Sequence, residues 1–315
     1  MSARQTVVVT DQVFPDVDLE RRILGDAGLD LVVADGTREG ALALAGDAIA
    51  MLNTYLPIDA GFIEGAPQCR IVARYGIGTD NIDIAAAQRA DMVVTNVPDY
   101  CVEEVATHAL TLVLALVRRL PESMRQLDEG AWGVDGIRPV SRVSELTVGL
   151  LGYGRIARRL AESVRLLGAT VVAHDPYVTS VDDGTALVGF EELLRGSDVL
   201  SVHAPLTPDT RGVIDADALR LLPPHAVVVN TSRGPLIVLA DLLAALREGR
   251  LRGAGLDVFE VEPPDPEQLR DVPGLIATPH TAFYSESSLK ESQRKAATQI
   301  VKVLRGEALD YQVLP

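Results

Sequence analysis

The sequence predicts an α/β protein of two Rossmann-like domains, each a parallel sheet covered by helices, with an interdomain cleft. Three observations carry this expectation. Short apolar, β-rich runs alternate with helix-compatible stretches through most of the chain. A glycine-rich turn with the strand–turn–helix–strand order of a dinucleotide fold begins at Thr147, far from the amino terminus. The length of 315 residues and a hydrophobic content of 47% are enough for two cores.

Along the chain, Val7–Val9, Leu31–Val33, Ala48–Leu52, Ile71–Ala73 and Met92–Val94 read as a first set of strands. Asn96-Val97-Pro98-Asp99 breaks the alternation. Glu103 to Leu120 reads as one long helix, with acids at its start, Arg118 and Arg119 at its end, and a stop before Pro121. Gly130 to Ser144 is less periodic. A second set of strands follows: Val148–Leu151, Thr170–Ala173, Val199–Val202, Ala226–Asn230, Gly253–Val258 and Leu275–Ala277. Ser287 to Gly306 reads as a terminal helix that returns to the first domain. The expected domains are therefore residues 1–99 with 286–315, binding substrate, and residues 100–285, binding a dinucleotide. Two crossings make a hinge.

Composition removes several function classes. The formal charge is −15 and no basic cluster stands out, which argues against nucleic acid or a membrane surface as partner. Residues 1–30 carry charges throughout, so no signal peptide is visible. The longest apolar stretch, Val105 to Val117, contains His108 and is too short to span a bilayer. Cys69 and Cys101 lack metal-ligand spacing, so no metal site is expected, and a reduced, cytoplasmic setting is the simplest reading. The only lysines are Lys290, Lys295 and Lys302, all in the terminal helix, so Schiff-base chemistry has poor candidates. There is no P-loop and no G-x-S-x-G elbow.

The glycine-rich turn follows the run Thr147–Leu151. Gly152 permits the turn, Gly154 lets backbone approach a pyrophosphate, and Ala157 is small enough for close helix–strand packing. Free N–H groups at the helix start would face the phosphates. Asp175, at the end of the next strand, suits the ribose hydroxyls and repels a 2′-phosphate, so NAD is expected over NADP.

Reactive residues cluster at the ends of later strands, where ligands bind in an open α/β sheet. Arg233 follows Ala226–Val229; Asp257 ends the next strand, with Glu262 beyond it; His280 follows Leu275–Ala277 and Pro279. Of the five histidines, His108 reads as a packing residue and His174 as a neighbour of the adenosine site. His203 reads as part of the cofactor groove, and His225 as solvated. His280 is the acid–base candidate, and a carboxylate such as Glu262 would favour its protonated form. Arg233 is suited to grip a carboxylate in a fork and polarise an adjacent carbonyl. In Arg74 to Asp83, a second glycine pair follows a strand, and the N–H groups of Ile77 and Gly78 could hold a carboxylate.

The segments RYGIGTDNID, GLLGYGRIA, HDPY, VHAPLT, NTSRG, the DVFEVEP block and TPH occur in this order over nearly the whole chain. They resemble the D-isomer-specific 2-hydroxyacid dehydrogenase family. Phe283 and Tyr284 just past His280, and the IRPVSRVSELTVG segment, resemble the C-terminal-binding-protein branch of that family. The resemblance implies that Arg233 binds and polarises a 2-oxo acid, His280 donates the proton and Glu262 supports it. It further implies that Asp257 meets the nicotinamide carboxamide, that Arg155 and Ile156 line the pyrophosphate with Ala204 and Thr231 nearby, and that Ile77 and Gly78 bind the substrate carboxylate. A homodimer using the long-helix region is implied too. Val238 stands where the family usually has an acid, which concerns the loop after Arg233. The expected function is NAD-dependent interconversion of a 2-oxo acid and a D-2-hydroxy acid. Phe283 is a candidate lid over an apolar substrate side chain. The alternatives are a D-3-phosphoglycerate dehydrogenase and an NAD(H)-sensing, corepressor-like binding protein.

Overall fold

The computed structural model describes residues 5–314; residues 1–4 and 315, at the ends of the expected first domain, lie outside the described residues. The chain divides into two compact units, Met1–Cys101 with Tyr284–Pro315, and Val102–Phe283. The sequence-derived crossings, 99/100 and 285/286, each differ from these by two residues.

Unit 1 opens with β1 (Thr6–Val9), α1 (Asp18–Asp26), β2 (Asp30–Val33), α2 (Arg38–Ala45), β3 (Ala48–Asn53), α3 (Ala60–Glu64), β4 (Ile71–Arg74), α4 (Ile84–Arg89) and β5 (Val93–Thr95). Its five strands are parallel in the order β2-β1-β3-β4-β5. Val7, Val8 and Val9 are wholly buried, as continuous β-branched runs are when both faces of a parallel sheet are covered.

Unit 2 begins with α5 (Val102–Val117) and α6 (Leu120–Asp128). Here the structure corrects the sequence reading, which joins this region into one helix ending before Pro121. Instead the chain breaks at Arg119, in the left-handed region at φ +53, and Pro121 sits in the first turn of α6, where its missing N–H leaves no bond unmade. Next come β6 (Thr147–Leu151), α7 (Arg155–Leu166), β7 (Thr170–His174), β8 (Ala186–Leu187), α8 (Phe190–Gly196), β9 (Val199–Val202), α9 (Ala216–Leu221), β10 (Val227–Asn230), α10 (Leu239–Arg247), β11 (Gly253–Leu256), α11 (Pro266–Leu269) and β12 (Leu275–Ala277). The seven parallel strands run β12-β11-β10-β9-β6-β7-β8. The two-residue β8 is too short to leave an apolar run in the sequence. Apolar cores cover both faces of this sheet. The order reverses at β6, whose neighbours are β7 and β9, so the carboxyl end of β6 is the topological switch point.

The chain then returns to unit 1 as α12 (Glu286–Arg305), capped by the Ser285 hydroxyl at the Ser288 N–H and closed by Gly306. After α12, residues 311–313 pair antiparallel along the free edge of β5.

Candidate active site

Gly152, at the end of β6, has φ +86, and a Cβ there would come within 2.7 Å of the Ala204 nitrogen. Only glycine fits such a turn. A methyl at Gly154 would meet no described atom within 4 Å. Gly154 is the N-cap of α7 without a side-chain cap, and Arg155 and Ile156 open the helix, so its first N–H groups are left for a ligand. Asp175 directly follows β7. Its Oδ2 accepts the Tyr153 N–H at 2.8 Å and its Oδ1 the Tyr177 N–H at 2.9 Å, which ties it to the glycine-rich turn.

Tyr153, which the sequence reading passed over, is 1% exposed. Its hydroxyl donates to Asp183 and lies 2.5 Å from Thr185 Oγ1, and the Arg158 guanidinium sits 4.5 Å from its ring centroid. Burial works against the Asp183 carboxylate, but hydrogen bonds from Tyr153 and Thr185 and the charge of Arg165 hold its pKa down at about 2.

These residues fit a dinucleotide. Besides the turn and the uncapped helix, Thr231 Oγ1, just past β10, is buried without a hydrogen-bond partner among the described residues. A buried hydroxyl of this kind calls for a partner. Ala204 is buried, and its carbonyl accepts the Ser232 hydroxyl at 2.8 Å. In unit 1 the equivalent switch point lies between β1 and β3. There the N–H groups of Thr54, Tyr55 and Leu56 donate to the chain's own Asp11 carboxylate, at 3.0, 2.5 and 3.1 Å.

The reactive cluster of unit 2 lies past β10, β11 and β12. Asn230 Nδ2 donates to the Arg233 carbonyl at 2.8 Å, and the Ser232 N–H donates to Asn230 Oδ1 at 3.0 Å, which shapes the Arg233 loop. A Cβ at Gly234 would overlap the Phe259 carbonyl, so this loop presses on the segment leading to Glu262. A 3-10 turn over Gly234–Leu236 follows, and Val238 is the N-cap of α10, without a side-chain cap. Glu262 Oε1 accepts the Phe259 N–H at 3.0 Å, and Oε2 lies 2.6 Å from His280 Nδ1. Burial alone would raise the Glu262 pKa. Hydrogen bonds from His280 and Phe259, with the charges of His280 and Arg233, outweigh burial and hold it below the usual range. The Phe283 ring stands edge-on to His280, centroids 6.2 Å apart. Tyr284 is exposed, and its hydroxyl donates to Glu286.

β11 stops two residues short of the expected strand end at Val258. The strand ends at Leu256, and Asp257 follows it with 0% exposure. Its Oδ1 accepts the Thr278 hydroxyl at 2.6 Å and the Thr281 N–H at 2.9 Å, and its Oδ2 accepts the Ala282 N–H at 2.9 Å. The carboxylate thus organises the turn that carries His280.

The other histidines have local duties. His203 Nε2 lies 2.9 Å from Ser201 Oγ, and burial pushes its pKa down to about 4. His174 Nδ1 lies 2.9 Å from the Val188 carbonyl. His225 is partly exposed and paired with Asp198 at 2.5 Å. His108, read as a packing residue, is hydrogen-bonded to Thr278. In unit 1, Ile77 and Gly78 follow β4, half-buried, with the Ile77 carbonyl accepting from Asn96 Nδ2 at 2.7 Å.

Comparison with known proteins places the chain in a family. The chain is 34% identical over 313 residues to the D-3-phosphoglycerate dehydrogenase of Methanocaldococcus jannaschii, covering 98% of this chain but only 59% of that protein. It is 36% identical over 269 residues to the glyoxylate reductase of Korarchaeum cryptofilum, covering 83% of this chain and 80% of that one. A crystal structure of a glyoxylate reductase from Paecilomyes thermophila superimposes with a TM-score of 0.89 at 27% identity, covering 98% of both chains. Residues 110–282 match the family described as D-isomer specific 2-hydroxyacid dehydrogenase, NAD binding domain. The chain therefore belongs to the D-isomer specific 2-hydroxyacid dehydrogenase family and carries its NAD binding domain.

Proposed function

We propose that the protein reduces 2-oxo acids to D-2-hydroxy acids with NADH and runs the oxidation in reverse. The observation that carries this reading is the His280–Glu262 pair, 2.6 Å apart, with the charge of Arg233 acting on Glu262. Nicotinamide, when bound, supplies or accepts the hydride at C2. Arg233 grips the substrate carboxylate and draws electron density from the adjacent carbonyl. Glu262 occupies His280 Nδ1, so the transferable proton is the one on Nε2. In reduction His280 gives this proton to the oxygen at C2; in oxidation it takes it back. Glu262, held ionised, stabilises the imidazolium until the proton leaves.

In the same reading Ile77 and Gly78 bind carboxylate through their N–H groups. Arg155, Ile156, Ala204 and Thr231 contact the cofactor, and Asp175 selects NAD. Phe283 forms an apolar wall beside the proton donor, favouring aliphatic or thioether tails.

Steady-state NADH consumption with glyoxylate, longer aliphatic 2-oxo acids and a 3-phosphorylated 2-oxo acid tests the reading. Turnover of unphosphorylated members is expected. Turnover of the phosphorylated acid alone would select the D-3-phosphoglycerate dehydrogenase alternative, which the Methanocaldococcus relative favours. NADH binding with no turnover on any member would favour a sensing role.

We also propose a homodimer. Leu120, Met124, Leu127, Trp132 and Val134 are all exposed within one short stretch of unit 2, and a second copy would cover them.

A further inference from the structure

His108 stands on α5 among the buried residues Val105, Ala106, Ala109 and Leu112. Its Nε2 lies 3.0 Å from Thr278 Oγ1 and 3.7 Å from Asp257 Oδ1. The Thr278 hydroxyl donates its single proton to Asp257 Oδ1, so towards His108 it can only accept, and His108 must carry its proton on Nε2. The Asp257 carboxylate also gathers the Thr281 and Ala282 N–H groups, and the Asp257 carbonyl accepts the His280 N–H at 2.8 Å. Between these bonds lies His280 at φ +53. A residue with a side chain keeps that conformation only where its surroundings impose it.

We infer that His108, Thr278 and Asp257 form a hydrogen-bonded strut from α5 to the turn after β12, and that His108 and Thr278 are positioning residues for proton transfer by His280. The inference rests on His280 being the proton donor. The strut acts at one step removed: it holds the turn whose conformation aims the imidazole at Glu262. Without the Thr278 hydroxyl, Asp257 keeps its backbone bonds, but its link to α5 is lost. The turn can then relax, and a small displacement of a proton donor is expensive in rate.

The test is Thr278→Val, which keeps shape and removes the hydroxyl, in the full-length protein. It should lower kcat by about 10- to 100-fold, with NADH affinity and substrate KM held. The solvent deuterium isotope effect on kcat should grow, because the misaligned proton step becomes slower. Thr278→Ser should restore both. His108→Leu should move them in the same direction, and His108→Gln, which retains an N–H donor, should recover most of the loss. A Thr278→Val protein with lower Tm but wild-type kcat and isotope effect would overturn the inference, leaving a purely structural contact. A readout independent of turnover is the imidazole nitrogen spectrum of the five histidines. The His280 resonances should shift in Thr278→Val; unchanged resonances would overturn the strut even if no substrate were found. Inactivity of the wild-type protein on every oxo acid would overturn the proton-donor role instead.

Discussion

At His280 the Glu262 carboxylate occupies Nδ1, which in the proposed mechanism leaves Nε2 to carry the transferred proton, so the consequences of substitution divide cleanly. His280→Ala should slow turnover by about 10²–10⁴-fold while NADH still binds, measured by stopped-flow and by nucleotide fluorescence. Glu262→Gln should lower the rate of reduction while NADH still binds, since the imidazole loses its charged partner; an unchanged rate would remove Glu262 from this role. The Glu262 pKa is lowered by folding, so its bonds stabilise the protein above the ordinary carboxylate range, and that stabilisation is lost as pH falls through the lowered value. Asp175→Ser should narrow the gap between NADH and NADPH; faster wild-type turnover with NADPH at equal concentration would contradict the assignment. Arg233 and His280 stood out in the sequence because each follows an apolar run in an α/β pattern, whereas Glu262, an acid in an acidic chain, stood out only through the family resemblance; the structure sets Glu262 beside His280. His108 was not legible, because its partner lies 170 residues away, and an isolated polar residue on an apolar helix is silent about what it meets.

Secondary elements were legible wherever apolar runs were short and continuous, and least legible where punctuation decides. Pro121 reads as a stop when the neighbouring helices are taken as one, yet it is a start once Arg119 adopts a left-handed turn. Polar joints between elements were also hidden. Glu20 on α1 has 0% exposure, accepts the Tyr75 hydroxyl at 2.8 Å and Gln293 Nε2 of α12 at 3.0 Å, and so joins two helices to the residue after β4. Burial raises its pKa, against the opposing pull of those hydrogen bonds. The protein therefore loses stability as pH climbs from the ordinary glutamate range to the raised value, because the unfolded chain ionises first. Glu20→Gln keeps an acceptor for Tyr75 and removes the ionisation. Its Tm should match wild type in acid and exceed it progressively towards neutral pH. Parallel Tm curves at all pH values would show that Glu20 does not titrate against folding.

For the whole molecule, the alternation of strand and helix and the late position of the glycine-rich turn already separated two sheets. Which strands neighbour each other was open, since parallel order depends on crossovers that composition does not encode. Association is the prediction at this scale. The wild-type protein should sediment as a dimer, and Met124→Glu with Leu127→Glu should halve its mass, with Trp132, the single tryptophan, moving to longer emission wavelength. A wild-type monomer would refute it. The two units also differ in how the chain composes them. Unit 2 is one continuous stretch, whereas unit 1 needs α12, whose Leu289, Ala296, Ala297 and Ile300 are buried in it. On the ribosome, the middle of the message can therefore fold while the start is still waiting for the end. Until α12 emerges, the nascent β1–β5 sheet has an uncovered apolar face. Chaperones should hold this intermediate, and a stalled transcript that stops short of α12 should yield a folded centre with an aggregation-prone leading segment.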